Sequence, residues 1–352
     1  MIRIAAPHSI VRIPDIMHDA QPGGASHEEP PALAIRAQGL SKTYRGLGGE
    51  APKKALKAID LEIPRGSVFG LLGPNGAGKS TFINILAGLV IKSGGMAQVW
   101  GHDIDREARA ARAAIGVVPQ ELNIDPFFTP RELLEVQAGL FGVPRAERRT
   151  DEILAALSLS DKADAYARSL SGGMRRRLLV AKAIVHDPPV LVLDEPTAGV
   201  DVELRRQLWT YVRSLAARGT TVLLTTHYLE EAQELCDRIA IIDRGELVAH
   251  DSTEALLRRL DRKELAITVA EELTAVPAEM AELSVELAPP RRLIVRYKPS
   301  ATRIGDILAA VRAAGLTISD LSTEESDLED IFLALTGRSV AEGAPDSASA
   351  AE

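Results

Sequence analysis

The sequence predicts an α/β fold, in which a sheet of parallel strands carries helices on its faces. Three observations lead to this prediction. Short apolar runs typical of buried strands alternate with segments whose apolar residues recur at helical spacing. Residues 121–187 carry helix signals only, and the composition changes again from Lys263 onward. We therefore expect a sheet domain with an inserted helical subdomain, followed by a small C-terminal α+β domain.

Seven segments in the first 250 residues have the pattern of strands. The first two alternate apolar and polar residues, as half-buried strands do, and the others are short apolar runs of the kind buried in parallel sheets. After the third, Phe82, Ile83 and Leu86 recur at helical spacing, which predicts a helix over residues 80–89. The predicted strands are residues 33–37, 58–63, 67–72, 115–118, 190–193, 221–225 and 238–243.

The helical insertion has its own start and stop signals. Thr129 and Glu132 have the spacing of a capping box, with Pro130 at the first helical position. Another helix begins near Gly173 and must end before the two prolines that follow Asp187. We therefore predict a helical subdomain over about residues 121–187.

The two ends of the chain and its C-terminal part differ from this core. Residues 1–32 are rich in Pro, Gly, His and acid and are predicted to be disordered, with Met17 as a possible alternative start. The small, polar residues 338–352 are predicted to form a tail. Between them, residues 263–337 carry strand and helix patterns in turn but no catalytic constellation. The predicted strands there are residues 265–269, 293–297 and 316–321, and the predicted helices are residues 302–314 and 327–335.

Charge and composition limit the classes of function. The 352 residues carry a formal net charge of −8, whereas nucleic-acid-binding proteins usually have a basic excess. The basic run 175–177 is interpreted as a charged helix face rather than a nucleic-acid patch. Cys236 is the only cysteine, which excludes an intramolecular disulfide and fits a reducing, cytosolic setting. No run of 18 apolar residues and no secretory signal is found in the sequence, so we expect membrane contact only through a partner.

The strongest chemical signal is a glycine-rich loop between a predicted strand and a predicted helix. It reads Gly73-Pro74-Asn75-Gly76-Ala77-Gly78-Lys79-Ser80-Thr81. This spacing is typical of a phosphate-binding loop, in which backbone amides and the positive end of the following helix face the phosphates. In such a loop Lys79 reaches the β- and γ-phosphates and Ser80 holds Mg²⁺. The alternative, a glycine-rich turn with a chance lysine, does not explain the strand–loop–helix context.

Two carboxylates follow the predicted strand 190–193. Ligands bind at the carboxyl edge of a parallel sheet, so Asp194 is placed to orient Mg²⁺ there. Glu195 points elsewhere and is the candidate general base for a water near the γ-phosphate. Taken alone, both could be acidic residues that end a strand before Pro196. The phosphate loop makes the catalytic interpretation the better one.

Together with the segment Leu170-Ser171-Gly172-Gly173-Met174, these motifs resemble the ATP-binding cassette (ABC) transporter superfamily over roughly residues 33–250. The common form of the family signature has Gln where Met174 stands, and Met is a frequent variant among export cassettes. The resemblance implies the P-loop NTPase fold of a nucleotide-binding subunit, with a mixed sheet core, over residues 33–255. It also implies ATP and Mg²⁺ as ligands.

The resemblance assigns a role to the signature itself. It implies that Ser171, Gly172 and Gly173 bind the γ-phosphate held by a second cassette, so that two ATP molecules lie between two cassettes facing in reverse orientation. A single complete cassette favours a homodimer. Taken alone, Ser171 is also an ordinary helix N-cap.

Four further positions match the family pattern. The resemblance implies that Gln120 senses Mg²⁺ and water, that Asp201 lies in the loop that crosses the dimer, that His227 contacts the γ-phosphate and that Tyr44 stacks on adenine. Taken alone, Gln120 could also be a polar residue at a strand end, His227 a core histidine with satisfied hydrogen bonds, and Tyr44 a half-buried surface tyrosine. The implied catalytic residues are Glu195, His227, Gln120 and Lys79, and the implied metal ligands are Ser80, Gln120 and Asp194.

Residues 197–205 and 226–232 resemble a bacterial export branch that serves drug and polysaccharide exporters, and residues 327–333 resemble its tail domain. This implies a separate transmembrane permease, a peripheral position at the cytoplasmic face of the cell membrane and a dimer that ATP closes. Phe127 and Phe128 either face the permease or pack in the core.

Two other functions stay open at this point. One is a non-transport ABC ATPase that acts on the ribosome or on nucleic acid, and the other is a regulatory binding module without chemistry. The single cassette and the absence of a heptad pattern argue against the first. The presence of Lys79, Asp194, Glu195 and His227 argues against the second.

Overall fold

The computed structural model describes residues 30–46, 51–197, 202–259, 263–281, 283–299, 301–325 and 327–337. Most of the predicted N-terminal extension (residues 1–29), the predicted tail at 338–352 and Asp201 lie outside these ranges. Within them, no helix is both long and apolar enough to cross a lipid bilayer.

Residues 30–259 form two sheets with flanking helices. The strands, in chain order, are β1 (Leu33–Tyr44), β2 (Lys53–Pro64), β3 (Val68–Leu72), β4 (Gly94–Val99), β5 (His102–Asp103), β6 (Ile115–Val118), β7 (Val190–Asp194), β8 (Thr221–Thr225), β9 (Arg238–Asp243) and β10 (Glu246–Ser252). The helices are α1 (Lys79–Leu86), α2 (Ala108–Ala113), α3 (Pro130–Leu140), α4 (Thr150–Ala156), α5 (Gly172–Ile184), α6 (Val202–Ala217), α7 (Leu229–Leu235) and α8 (Thr253–Arg259).

The central sheet has the strand order β10-β9-β3-β8-β7-β6. Strands β3, β6, β7, β8 and β9 are parallel to one another, and β10 runs antiparallel at the edge. A second sheet, with the order β2-β1-β4-β5, is antiparallel throughout. The predicted α/β class is therefore confirmed, with the mixed sheet core that the family resemblance implies. The predicted strands 33–37 and 58–63 do not join the parallel strands, since they pair with each other in the antiparallel sheet.

The central sheet is buried on both faces. Leu191 and Leu193 of β7 pack in a cluster with helices α3 to α8. Val190 and Val192, which alternate with them, pack on the other side with α1 and the antiparallel sheet. Burial on both faces explains why these strands are continuous apolar runs in the sequence.

Two helices of the insertion begin or end where their sequence signals predict. The side chain of Thr129 accepts a hydrogen bond from the amide of Glu132, and the carboxylate of Glu132 accepts one from the amide of Thr129, with Pro130 at the first helical position. Helix α5 ends at Ile184, before the two prolines. Helix α5 also lies very close to β6, since a Cβ on Gly116 would be 2.1 Å from the carbonyl oxygen of Ala183. Only glycine permits this approach.

The C-terminal part forms a third sheet of antiparallel strands. Its order is β12-β13-β11-β14, and α9 packs on it in a separate apolar cluster. These elements are β11 (Lys263–Val269), β12 (Ser284–Ala288), β13 (Arg292–Tyr297), α9 (Ile304–Ala313) and β14 (Ile318–Glu325).

The last described helix, α10 (Leu328–Thr336), differs from the expectation that it belongs to this α+β unit. Leu328, Ile331 and Phe332 pack instead into the apolar cluster of α7 and α8. The amide of Leu328 also donates a 3.1 Å hydrogen bond to Oε1 of Gln233 in α7. Its apolar face is thus buried by the helices of the larger sheet, which no local pattern in the sequence reveals.

Candidate functional site

The glycine-rich loop connects β3 to α1 at the carboxyl edge of the central sheet. Two of its glycines are required by the space around them. A Cβ on Gly73 would be 2.1 Å from the carbonyl oxygen of Ile242, and one on Gly78 would be 2.6 Å from that of Ala55. Gly78 also has a φ of 117°, which L side chains rarely adopt. These close contacts hold the loop tightly against the sheet, and α1 begins directly after it at Lys79.

Lys79 is buried, and its ammonium lies inside the loop. Its Nζ donates hydrogen bonds to the carbonyl oxygens of Gly73, at 2.6 Å, and Pro74, at 3.3 Å. Burial lowers the pKa of Lys79, and the nearby carboxylates of Glu195 and Asp194 oppose that shift. The loop therefore holds a cation in a position where further negative charge is favourable.

A cleft of about 300 Å³ opens over this loop. Tyr44 lies at the cleft with its side chain partly exposed, and its hydroxyl is 3.5 Å from the Oγ1 of Thr81. The Nζ of Lys42 lies 4.8 Å from the centre of the Tyr44 ring. The lining residues are Tyr44, Lys53, Ala55, Asn75, Gly76, Ala77, Gly78, Lys79, Ser80, Thr81, Gln120 and Glu195.

Asp194 ends β7, and Glu195 follows it in a strained conformation. The φ of Glu195 is 48°, in the left-handed region that costs a residue with a side chain about 1–3 kcal/mol. Thr225, at the end of the neighbouring strand β8, stabilises both residues. Its hydroxyl donates to Oδ1 of Asp194 at 2.5 Å, and the amide of Glu195 donates to its carbonyl oxygen and to its Oγ1, both at 3.1 Å.

Gln120 and His227 both lie close to one oxygen of the Glu195 carboxylate. Nε2 of Gln120 donates a hydrogen bond to Oε2 of Glu195 at 2.8 Å. Nδ1 of His227 is 3.6 Å from the same oxygen, which is longer than a hydrogen bond. The structure thus brings together side chains from the ends of β6, β7 and β8, which are far apart in the sequence.

The signature segment lies elsewhere on the surface of the same chain. Ser171 caps α5, since its hydroxyl accepts a 3.3 Å hydrogen bond from the amide of Met174. Ser171 and Gly172 are exposed, Gly173 is half-buried, and none of the three lines the cleft. Asp201 lies outside the described residues.

The interpretation of residues 175–177 as a charged helix face is wrong for Arg176. This side chain is buried and donates from Nη1 to the carbonyl oxygens of Pro119, at 3.2 Å, and Gln120, at 2.8 Å. Burial lowers the pKa of Arg176, and the negative charge of Glu195 opposes the shift. Arg177 donates to the carbonyl of Leu157 at 2.8 Å. Sequence reasoning missed Arg176 because a run of arginines is usually solvated, and it missed Thr225 although a polar residue ending an apolar strand is a usable signal.

The oxygen donors of Ser80, Gln120 and Asp194 are of the kind that Mg²⁺ prefers. No cluster of three or more His, Cys, Asp or Glu side chains able to hold a metal is found in the described ranges. Mg²⁺ commonly binds through one or two carboxylates together with phosphate oxygens and water. A hydroxyl, an amide and one carboxylate beside a phosphate loop therefore fit this ion.

A second cleft, also of about 300 Å³, lies between the sheet core and the helical insertion. Leu89, which is 74% exposed, lies on one side, and Phe141 lies on the other with its ring stacked on His186 at 3.6 Å. Arg112 and Lys182 also line it, and no acidic side chain does. This cleft is apolar with a basic rim.

Phe127 and Phe128, for which the sequence left contact with a permease and core packing as alternatives, differ in exposure. Phe127 is 67% exposed, with the guanidinium of Arg168 5.7 Å from its ring centre. Phe128 is partly buried.

The chain is similar to known proteins over most of its length. Residues 56–198 match the family model described as ABC transporter. The chain is 40% identical over 311 residues to the daunorubicin resistance ATP-binding protein DrrA3 of Streptomyces coeruleorubidus, a match that covers 86% of this chain and 96% of that protein. It is 37% identical over 325 residues to the Nod factor export ATP-binding protein I of Ralstonia nicotianae, covering 92% and 99% of the two chains.

Solved structures resemble the fold as well. One is described as the ATP-binding subunit of an ABC transporter, with a TM-score of 0.58 and 26% identity, covering 64% of this chain and 92% of that chain. Another is described as a dimeric, post-hydrolysis ATP-binding cassette bound to ADP and Pi, with a TM-score of 0.56 and 27% identity, covering 62% of this chain and 98% of that one.

Proposed function

The chain belongs to the ABC transporter family of ATP-binding proteins, and we propose which of its residues bind and hydrolyse ATP in the ATP-hydrolysing subunit of an exporter. It binds ATP, and it hydrolyses ATP in a reaction coupled to transport across a membrane. The main support for these residue roles is that Gln120 and His227 both lie close to the carboxylate of Glu195 beside the phosphate loop.

ATP is held at both of its ends. The ring of Tyr44 stacks on adenine, because its partly exposed face lies at the cleft that the phosphate loop lines. The amides of residues 76–81 and the ammonium of Lys79 bind the phosphates. Lys79 is already desolvated, so a phosphate oxygen that replaces the carbonyls of Gly73 and Pro74 gains a strong ionic contact.

Mg²⁺ would be held by Ser80, Gln120 and Asp194, and its role when bound is to neutralise charge on the phosphates. The hydroxyl of Thr225 fixes one oxygen of Asp194 and leaves the other available. The remaining roles in hydrolysis are assigned to three side chains of this chain: Glu195, Gln120 and His227.

Glu195 is proposed as the general base that takes a proton from the attacking water. Gln120 orients the carboxylate through its 2.8 Å hydrogen bond and lies where it can also orient that water. His227, 3.6 Å from the same carboxylate oxygen, contacts the γ-phosphate. The strained backbone of Glu195 is typical of functional sites.

The complete catalytic unit is proposed to be a homodimer. Ser171 and Gly172 are exposed and do not line their own chain's cleft. The start of α5 presents backbone amides and the positive helix end, which suit a phosphate. We therefore expect Ser171, Gly172 and Gly173 of one copy to face the γ-phosphate held by the other, with Asp201 near the crossing point, so that ATP closes the dimer and hydrolysis reopens it.

The second cleft is proposed to receive a separate transmembrane permease, and it would place the chain at the cytoplasmic face of the membrane. Leu89 and Phe141 offer apolar contacts, and Arg112 and Lys182 suit a partner segment that carries carboxylates. No nucleic-acid partner is expected, given the net charge of −8. Export is the proposed direction, since relatives are named for drug resistance and Nod factor export.

The experiment is co-purification of the tagged full-length chain from solubilised membranes, together with Leu89→Glu. We expect the parent to recover a multi-span membrane subunit and Leu89→Glu to lose it while still binding ATP. Val248→Glu, at a partly exposed valine on β10 that does not line the cleft, is the matched control and should retain the subunit. Recovery of ribosomes or DNA in place of a membrane subunit would replace the proposal with the non-transport alternative.

A further inference from the structure

A buried carboxylate outside the phosphate cleft joins the two turns that carry Glu195 and His227. Glu231 lies in α7 and is 7% exposed. Its Oε2 accepts a 3.0 Å hydrogen bond from the hydroxyl of Thr197 and a 3.1 Å one from the hydroxyl of Thr226. Thr197 comes two residues after Glu195, and Thr226 comes one residue before His227. One oxygen atom therefore connects the chain that leaves β7 with the chain that leaves β8.

The other oxygen of Glu231 forms an ion pair beside His227. Its Oε1 lies 3.1 Å from Nε of Arg205 in α6. The guanidinium of Arg205 lies 4.5 Å from the centre of the Tyr228 ring, and that ring lies 4.0 Å from the ring of His227. The contacts thus continue from Glu231 through Arg205 and Tyr228 to the imidazole.

A buried carboxylate is costly unless ion pairs and hydrogen bonds compensate for the water it has lost. Here two hydroxyl groups and one guanidinium provide that compensation, and each comes from a different segment of the chain. An apolar residue at this position would fill the space, yet it would leave the turns of Thr197 and Thr226 without a common partner. The specific consequence of the charge is therefore the relative placement of the two turns.

We infer that Glu231 is a positioning residue that holds Glu195 and His227 in the geometry used for hydrolysis. The inference rests on the proposed function, in which Glu195 removes a proton from water and His227 contacts the γ-phosphate. Glu231 itself does not line the cleft, so it acts through these two residues. Its loss should affect the chemical step far more than the binding of ATP, because Tyr44 and the phosphate loop belong to other elements.

The test uses Glu231→Gln in the full-length chain. The amide keeps the size of the side chain but loses the charge that pairs with Arg205. We expect kcat for ATP hydrolysis to fall on the order of 10- to 100-fold, as small misplacements of catalytic groups do, with KM for ATP within about threefold of the parent. The matched control is Glu230→Gln, an exposed neighbour on the same helix, which should retain the parent kcat.

Two further variants separate positioning from folding. Thr197→Val keeps the shape of the side chain and removes a single hydrogen bond, so it should stay folded even if Glu231→Gln does not. Its kcat should fall several-fold at unchanged KM. Arg205→Met combined with Glu231→Gln removes the unpaired guanidinium. This double variant should regain thermal stability but not kcat, when assayed at a temperature where circular dichroism shows it fully folded.

The inference is overturned if Glu231→Gln and Thr197→Val both keep the parent kcat, or if the double variant regains kcat along with stability. It is also overturned if KM rises as much as kcat falls, since a loss shared with binding is not a loss of catalytic geometry. Glu195→Gln is assayed in parallel. Hydrolysis by Glu195→Gln at the parent rate would contradict the proposed function itself. If Glu195→Gln loses hydrolysis while Glu231→Gln keeps it, only the role of Glu231 is contradicted.

Discussion

Gln120 donates a 2.8 Å hydrogen bond to the carboxylate of Glu195, although the two residues are 75 positions apart in the sequence. Gln120 comes two residues after the end of β6, just before the helical insertion, and Glu195 comes directly after β7, the strand that follows the insertion. Arg176 binds the carbonyl of Gln120 from α5, inside the insertion. The helical subdomain is therefore connected to the proposed catalytic base through Gln120.

The first prediction concerns Glu195. Glu195→Gln keeps the shape of the side chain but cannot accept a proton, so hydrolysis should fall by at least about 100-fold, the usual contribution of a general base. ATP affinity, measured by isothermal titration calorimetry, should stay within a few-fold of the parent. Steady-state hydrolysis near the parent rate would remove Glu195 from the role of base.

The second prediction concerns Arg176, whose guanidinium holds the carbonyl groups of Pro119 and Gln120. Hydrogen bonds to charged groups contribute about 1.5–3 kcal/mol, so Arg176→Met should lower the melting temperature by several degrees. It should also lower kcat by roughly 3- to 10-fold, which is about 1 kcal/mol, because the Gln120 side chain loses its support.

Arg109→Met is the control for Arg176, since Arg109 is exposed on α2. Thermal unfolding and steady-state hydrolysis of the two variants are compared directly. Equal behaviour of the two would show that the contacts of Arg176 contribute neither to stability nor to the alignment of Gln120.

The third prediction concerns Tyr44. Stacking of an aromatic ring on a base contributes about 1–3 kcal/mol, so Tyr44→Ala should weaken ATP binding by roughly 5- to 150-fold. Tyr44→Phe keeps the ring and should bind ATP almost as well as the parent. Tyr166→Ala, at a half-exposed tyrosine that does not line the cleft, is the control. An unchanged Kd of Tyr44→Ala for ATP would show that adenine does not stack on Tyr44.

Helices and strands that are marked by the pattern of their own residues were predictable from the sequence. Strands β8 and β9 have the predicted bounds, because strands buried on both faces are short apolar runs ended by polar residues. The strands β10 and β12 were not predicted. Both lie at sheet edges and carry mixed polar residues, so their pairing depends on the strand beside them.

The same distinction applies to the candidate site. The phosphate loop and the pair Asp194 and Glu195 are local motifs, and the sequence located them directly. The contact of Arg176 with Gln120 joins residues 56 positions apart, and that of Glu231 with Thr197 joins residues 34 apart. Such contacts arise only when the insertion and α7 pack on the sheet, and no spacing rule encodes them.

The fourth prediction concerns pH and stability. Burial lowers the pKa of His186 below its usual 6.5, with smaller opposing contributions from the backbone of Ile115 and from the charge of Asp187. The unfolded chain then binds more protons than the folded chain at this residue as the pH falls through 6.5. The free energy of unfolding should therefore decrease as the pH falls from about 7.5 toward 5.5.

His186→Phe tests this prediction, because it keeps an aromatic ring stacked on Phe141 but cannot be protonated. Chemical denaturation at pH 7.5 and 5.5 should show a smaller loss of stability in the variant than in the parent. An identical loss in both proteins would assign the acid sensitivity to other groups.

The ATP-dependent assembly of Glu195→Gln shows most directly whether two copies of the chain hold each ATP between them. Sedimentation velocity should show a monomer without nucleotide and a dimer with Mg-ATP. Adding Ser171→Arg, at an exposed serine that does not line its own chain's cleft, should keep ATP binding and abolish the dimer. A Glu195→Gln protein that is saturated with ATP and yet remains a monomer at all concentrations would show that a single copy holds each ATP.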